Sequence, residues 1–321
     1  PTRSPLNGAW REVVLSVRDL GAWSRALNQL FGWEELTRGK TDARLLKSWA
    51  LPASVTAEER ILTAPSDPTR LIRLMSFKGV AQTEARANAA PWDTGGIFSL
   101  LVYVRDVDEA YNTAQKLGWS AYNTPSTMDF GGMGLRNVIL RGPDGVNIGL
   151  YTQTTPPLAN FLYDKATAPV SIQHMVRDID TSRRFYKEIL AWVPWFDGTT
   201  TLKSNNFGVP AEKVGQPKKV VIAAAAKMGP SEKWATSQIE LVQWDGMNGR
   251  DVAAGCVPPN LGIISLRMYV PDVKAAEKAL TSADVSLFAN VTRVSLVGGP
   301  EVDIFAARSP DGAVIEFVQE L

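Results

Sequence analysis

Four stretches of this chain share one pattern, in which a short apolar strand runs into an Asp-bearing turn and then a helix-like segment. They read VVLSVRDLGAWSRAL, SLLVYVRDVDEAYNTA, SIQHMVRDIDTSRRFY and SLRMYVPDVKAAEKAL. Anchored on Asp19, Asp106, Asp178 and Asp272, they divide the chain into four units of broadly similar length, each followed by several strand-like runs. The shared Asp stands where a helix N-cap belongs, since its carboxylate accepts hydrogen bonds from the unsatisfied amides of a first helical turn.

The repeat has a second level. IRLMSFKG (72–79) lies in register with IELVQWDG (239–246), and RGPDGVNIGLYTQ with RSPDGAVIEFVQE, so units one and two correspond to units three and four. Between the halves, TQTTPPLANFLYDKATAPV is Pro- and Thr-rich and lacks periodicity, which places a domain boundary there. The expected division is an N-terminal pair, 1–158, and a C-terminal pair, 159–321. The PDG turns at Asp144 and Asp311 read as ordinary turns before a last strand, with no chemical role. FGGMGL (130–135) lacks the spacing of a dinucleotide-binding loop.

With 321 residues, 45% of them hydrophobic, the chain can bury a sizeable core. Its 34 Lys and Arg nearly cancel 33 Asp and Glu, and no long run of either sign occurs, so no nucleic-acid or anionic-membrane partner is expected. Cys256 stands alone, which excludes an intramolecular disulfide and any multi-cysteine metal site. No apolar run is long enough to span a bilayer as a helix, and the first residues lack the regions of a secretory signal; a cytoplasmic location is expected.

The run HMVRDIDTSRRFYKEILAW followed by SPDGAVIEFVQ resembles the vicinal oxygen chelate superfamily, the group of glyoxalase I, bleomycin-resistance proteins and ring-cleaving extradiol dioxygenases. The resemblance covers nearly the whole chain. It implies an α+β fold of four βαβββ modules, paired into two half-open barrels that each curl around a cavity. Fold resemblance alone does not fix the reaction.

In this superfamily a divalent metal is held by side chains from the first and last strands of two paired modules. Four residues before each anchoring Asp stand Leu15, Val102, His174 and Met268; the last strands contribute Arg73, Gly149, Glu240 and Glu316. His174 is the only histidine of the chain. The C-terminal half therefore carries His174, Glu240 and Glu316 as expected ligands of one divalent ion, of Fe, Mn, Zn, Ni or Co type. Met268, at the fourth position, is a poor ligand for hard ions. The N-terminal half, with Leu15, Val102 and Gly149, has lost such a site; Arg73 there reads as a surface or structural residue, with contact to an anionic ligand as the alternative. Independently of the resemblance, Glu240 and Glu316 each interrupt an apolar strand-like run, and a buried carboxylate needs a compensating partner. The bland alternative is a histidine satisfied in the core and strand glutamates directed to solvent.

The resemblance implies oxyanion or enolate stabilisation on a small oxygenated substrate, a metal-dependent isomerase or lyase of glyoxalase type, with Glu240 or Glu316 as the base. Extradiol ring cleavage ranks below it because the second His and further cavity histidines of those enzymes are missing. A ligand-sequestering protein of bleomycin-resistance type is the third alternative; among the ten Trp residues, Trp49, Trp92, Trp234 and Trp244 fall outside the helix cores and are candidates for an aromatic wall. Monomer and homodimer are equally compatible, since four modules can complete two cavities without a partner chain.

Overall fold

The computed structural model describes residues 4–130, 132–157, 164–201, 208–215, 217–227 and 237–321. The expected domain boundary and Trp234 lie outside the described residues. Module one comprises β1 (Trp10–Ser16), α1 (Leu20–Phe31), β2 (Glu34–Lys40), α2 (Ala43–Ser48), β3 (Thr56–Ala64) and β4 (Asp67–Lys78). Module two comprises β5 (Ser99–Tyr103), α3 (Val107–Lys116), β6 (Ser120–Ala121), β7 (Ser126–Phe130), β8 (Met133–Arg141) and β9 (Asn147–Thr155). Module three has β10 (Ser171–Met175), α4 (Ile179–Arg184), β11 (Val193–Thr201), β12 (Pro217–Ala224) and β13 (Gln238–Trp244). Module four has β14 (Gly262–Tyr269), α5 (Val273–Ser282), β15 (Leu287–Ser295), β16 (Glu301–Arg308) and β17 (Val314–Glu320).

Each anchoring Asp caps its helix. The carboxylates of Asp19, Asp106, Asp178 and Asp272 accept from the amides of Ala22, Glu109, Asp180 and Ala275 at 2.8–3.0 Å. All four caps have extended backbone, and the helix starts on the next residue.

The modules do not pair in chain order. The first sheet runs β15-β16-β17-β14-β1-β4-β3-β2 and joins module four to module one through antiparallel β1 and β14. The second runs β11-β12-β13-β10-β5-β9-β8-β6, with β7 on β8, and joins module three to module two through antiparallel β10 and β5. Each sheet thus takes one module from either side of the expected boundary. The long links 79–98 and 245–261 carry the chain from one sheet to the other, and the first strand of every module offers the same edge to any other first strand.

Burial separates two faces on each sheet. One large core cluster contains Leu15, Ile72, Leu266 and Phe317 of the first sheet, Val102, Leu150, Ile172 and Leu241 of the second, and apolar residues of α1, α3 and α5. The opposite faces carry separate clusters, around Met75, Phe77 and Val318 on the first sheet and around Phe98, Ile139, Val220 and Val242 on the second.

The PDG turns do more than reverse the chain. Asp144, in module two, accepts from the Arg18 amide at 3.1 Å, from Arg18 Nη1 at 2.6 Å and from Trp23 Nε1 at 2.9 Å, all in module one. Asp311, in module four, accepts from the Arg177 amide at 3.1 Å and from the Ser182 hydroxyl, both in module three. The duplication therefore yields two equivalent struts between the sheets, at the positions that the sequence pattern leaves without a role.

Candidate functional site

The four equivalent first-strand positions face the core and not the outer faces. Leu15, Val102 and Met268 belong to the central cluster, and His174 lies on the same side of β10 as Ile172. The outer-facing positions stand one residue earlier, at Val14, Leu101, Gln173 and Arg267, each paired in parallel register with the last-strand residue Arg73, Gly149, Glu240 or Glu316. The last-strand register is as expected; the first-strand face is reversed.

His174, Glu240 and Glu316 are accordingly not brought together. Glu316 is on the first sheet, whereas His174 and Glu240 are on the second and project to opposite faces of neighbouring strands. His174 is buried, with Nδ1 3.3 Å from the Gly96 carbonyl oxygen and Nε2 3.4 Å from the Tyr186 hydroxyl. A carbonyl can only accept, so Nδ1 carries the proton and Nε2 accepts from Tyr186. Burial depresses its pKa to about 4, and the ring is a neutral core histidine.

On the outer face of the first sheet, Glu12, Glu59 and Glu316 meet two guanidiniums, all buried. Arg73 donates from Nε to Glu12 at 2.7 Å, from Nη2 to the same carboxylate at 3.2 Å, and from Nη1 to Glu59. Arg267 donates from Nε to Glu316 at 2.8 Å and from Nη1 to Glu12 at 3.1 Å. The Ser265 hydroxyl donates to Glu316 at 2.7 Å and the Tyr269 hydroxyl to Glu12 at 2.8 Å. Burial alone would push Glu12 upward, but Arg73 and Arg267 outweigh it and hold its pKa at about 2. The compensating cations that buried glutamates require are thus arginines.

The described residues at these positions do not fit a divalent metal. The position between the carboxylates of paired modules one and four is filled by the Arg73 and Arg267 side chains. On the second sheet the equivalent positions supply one carboxylate, Glu240, beside Gln173, Leu101 and Gly149. Among the described residues no group of three or more His, Cys, Asp or Glu side chains is placed to hold a metal ion.

The outer face of the second sheet sets one carboxylate among polar and aromatic side chains. Ser99 on β5 donates to Gln173 Oε1 at 3.2 Å, and Gln173 Nε2 donates to Glu240 Oε1 at 2.9 Å, a relay across three adjacent strands that fixes the carboxylate. Glu240 is half-buried, and burial raises its pKa against the pull of Lys218 and Gln173. Tyr103 and Tyr151 pair in register with ring centroids 6.3 Å apart, close enough to Glu240 to feel its charge. Burial, with Glu240 adding to it, pushes Tyr103 up to about 12. Trp195 donates to Gln238 at 2.8 Å, and Trp244 lies under the buried Lys218 cation at 5.2 Å. Trp244 and Trp92 pack with this face, while Trp49 packs on the first sheet's outer cluster. Gln173, Tyr103, Tyr151 and Trp195 were not singled out from sequence; moving the expected first-strand register by one residue would have found Gln173.

The model of the Glyoxalase/Bleomycin resistance protein/Dioxygenase superfamily matches residues 11–150. Those residues therefore resemble this superfamily in sequence. Glyoxalase I from Zea mays superposes with a TM-score of 0.61 at 16% identity, covering 97% of this chain and 92% of that one. A putative dioxygenase from Bacillus subtilis superposes with a TM-score of 0.57 at 9% identity, covering 97% and 85%. No curated protein matches in sequence. At these identities the superfamily likeness concerns the fold, and the chemistry must be argued from this chain's own side chains. No helix among the described residues is long and apolar enough to cross a membrane.

Proposed function

We propose that this protein is a small-molecule binding protein that holds an organic ligand on the outer face of its second sheet, anchored by Glu240 and without a metal. The observation that carries the reading is the contrast between two equivalent faces. On the first sheet Arg73, Arg267 and Glu316 are engaged in an internal ion-pair cluster, whereas on the second a half-buried carboxylate, oriented by Gln173, stands among tyrosine and tryptophan rings. Aromatic walls around a few fixed polar groups are the usual composition of a ligand site. Among the alternatives drawn from sequence this favours the ligand-sequestering type. Ring cleavage loses its one histidine to the core, and a glyoxalase-type reaction loses the converging ligands.

A second reading rests on the upward shift of Glu240. A carboxylate made more basic by burial is suited to take a proton from carbon next to a carbonyl, so proton-transfer chemistry with Glu240 as the base stands behind simple binding.

The test pairs elemental analysis of protein purified without chelators with tryptophan fluorescence titration against flat aromatic compounds. Metal far below one equivalent together with saturable quenching supports the proposal. Stoichiometric transition metal, or no aromatic ligand bound, overturns it.

A further inference from the structure

The two struts between the sheets are equivalent in position but not in what surrounds them. In the first half, α1 and the PDG turn of module two meet over two indoles. Trp23 and Trp119 are buried with ring centroids 5.0 Å apart. A Cβ on Gly142, just before the turn, would come within 2.9 Å of the Trp23 ring and 3.2 Å of the Trp119 ring, so no space is left there. The matching residues of the second half are smaller. Ser182 follows Asp178 by four residues as Trp23 follows Asp19, and Val285 follows Asp272 by thirteen as Trp119 follows Asp106. The backbone agrees with the second match, since the Trp119 amide donates to the Ala114 carbonyl and the Val285 amide to that of Leu280, each at 3.0 Å.

Where the first half holds its indoles, the second half keeps a cleft of about 790 Å³ between α4, the turn after α5 and the PDG turn of module four. That volume suits a small organic ligand. Phe185, Ile189 and Val285 give the cleft an apolar wall, and Asp311 lines it. Among the described residues Asp311 accepts from the Arg177 amide and the Ser182 hydroxyl, one donor fewer than Asp144. The difference arises because the Arg18 guanidinium stays on Asp144, whereas that of Arg177 turns to Asp251 at 3.4 Å. A carboxylate can accept more than two hydrogen bonds, so Asp311 retains capacity toward the cleft.

The charges of the lining do not call for an ionic ligand. Arg177, Arg184 and Arg308 face Asp251, Asp284 and Asp311, three of each sign. Arg184 lies 3.4 Å from Glu188, and Arg308 Nη2 donates to the Ala253 and Gly312 carbonyls, both at 3.0 Å. An apolar wall, balanced charge and one receptive acceptor match a neutral ring with an N–H, the group that Trp23 presents to Asp144.

We propose that this cleft is a ligand site, separate from the outer face of the second sheet, for a neutral flat heteroaromatic molecule of indole size whose N–H donates to Asp311. Indole is titrated by calorimetry into the full chain alongside benzofuran, the same bicycle with an ether oxygen in place of the N–H. Benzofuran should bind at least about tenfold more weakly, the loss expected when a donor to a carboxylate is replaced by an acceptor. S182W and V285W, which fill the cleft from its two walls as Trp23 and Trp119 fill its counterpart, should each lose one equivalent of bound indole. Circular dichroism checks that they fold, and if one does not, the other decides. No indole bound by the parent, benzofuran bound as tightly as indole, or an unchanged indole stoichiometry in a folded variant each overturns the proposal.

Discussion

The guanidinium of Arg73 lies against the carboxylate of Glu12, Nε to Oε2 at 2.7 Å, with both side chains buried on the outer face of the first sheet. Glu12 is shared with Arg267, and Arg73 with Glu59, so the two arginines and three glutamates form one connected cluster. Removing one member of a buried ion pair leaves its partner charged and unsolvated. R73L should therefore destabilise the protein by about 3–5 kcal/mol, read as a fall in the free energy of urea unfolding. A loss below about 1 kcal/mol, the scale of an exposed pair, would show that the cluster is not buried as described.

The same cluster sets an acid limit. Glu12 has a folded pKa near 2, below its ordinary 4.5, so its contribution is fully present above about pH 4.5 and is lost as pH falls through about 2. The difference corresponds to about 3 kcal/mol at neutral pH. E12Q should remove that contribution, so that unfolding free energy declines less steeply below pH 4.5 in the variant than in the parent. Equal steepness in the two would remove Glu12 from the pairs that keep it ionised.

Much of this architecture could be read from the residues alone. The capping aspartates, the strand–helix alternation and the correspondence of IRLMSFKG with IELVQWDG all appear in the structure as four modules. Glu240 and Glu316 were recognisable as carboxylates that interrupt apolar strands and need partners. What was hidden is which face a strand presents. His174 and Gln173 are adjacent in SIQHM, all five of whose residues are buried, so no alternation of polarity marks the outer side. The rarity of histidine points to His174, which the fold buries against Gly96 and Tyr186. Module pairing was equally hidden, because all four first strands offer the same edge and the sequence of the long links does not say which neighbour it will meet.

Asp144 offers a test of the struts. It is buried, with a left-handed backbone (φ 60°) that asparagine also tolerates, so D144N removes the charge and leaves the turn. Its bonds to Arg18 and to the Trp23 indole make a loss of about 1.5–3 kcal/mol the expected result. D311N, at the equivalent strut on Arg177 and Ser182, should cost a similar amount, and because the two sites share no partner the double variant should lose the sum. Hydrogen exchange would localise the effect, with faster exchange of the Arg18 and Arg177 amides in the respective variants.

His174 makes the opposite prediction to a metal ligand. Its folded pKa is depressed from 6.5 to about 4, because burial penalises the charged ring while the carbonyl of Gly96 only partly opposes this. Between those two values the unfolded chain binds a proton that the folded chain excludes, so stability is full above pH 6.5 and falls as pH is lowered toward 4. The slope approaches about 1.4 kcal/mol per pH unit within that window, a total of about 3 kcal/mol. H174Q keeps a polar side chain near Gly96 and Tyr186 but cannot take up that proton. Urea unfolding at pH 7, 6, 5 and 4.5 should therefore show the parent losing more stability than H174Q on acidification, although the variant starts lower at pH 7. Parallel curves for the two proteins would mean that the imidazole is exposed or already charged in the fold, and a parent stabilised by added divalent metal at pH 7 but not in H174Q would return it to the role of ligand.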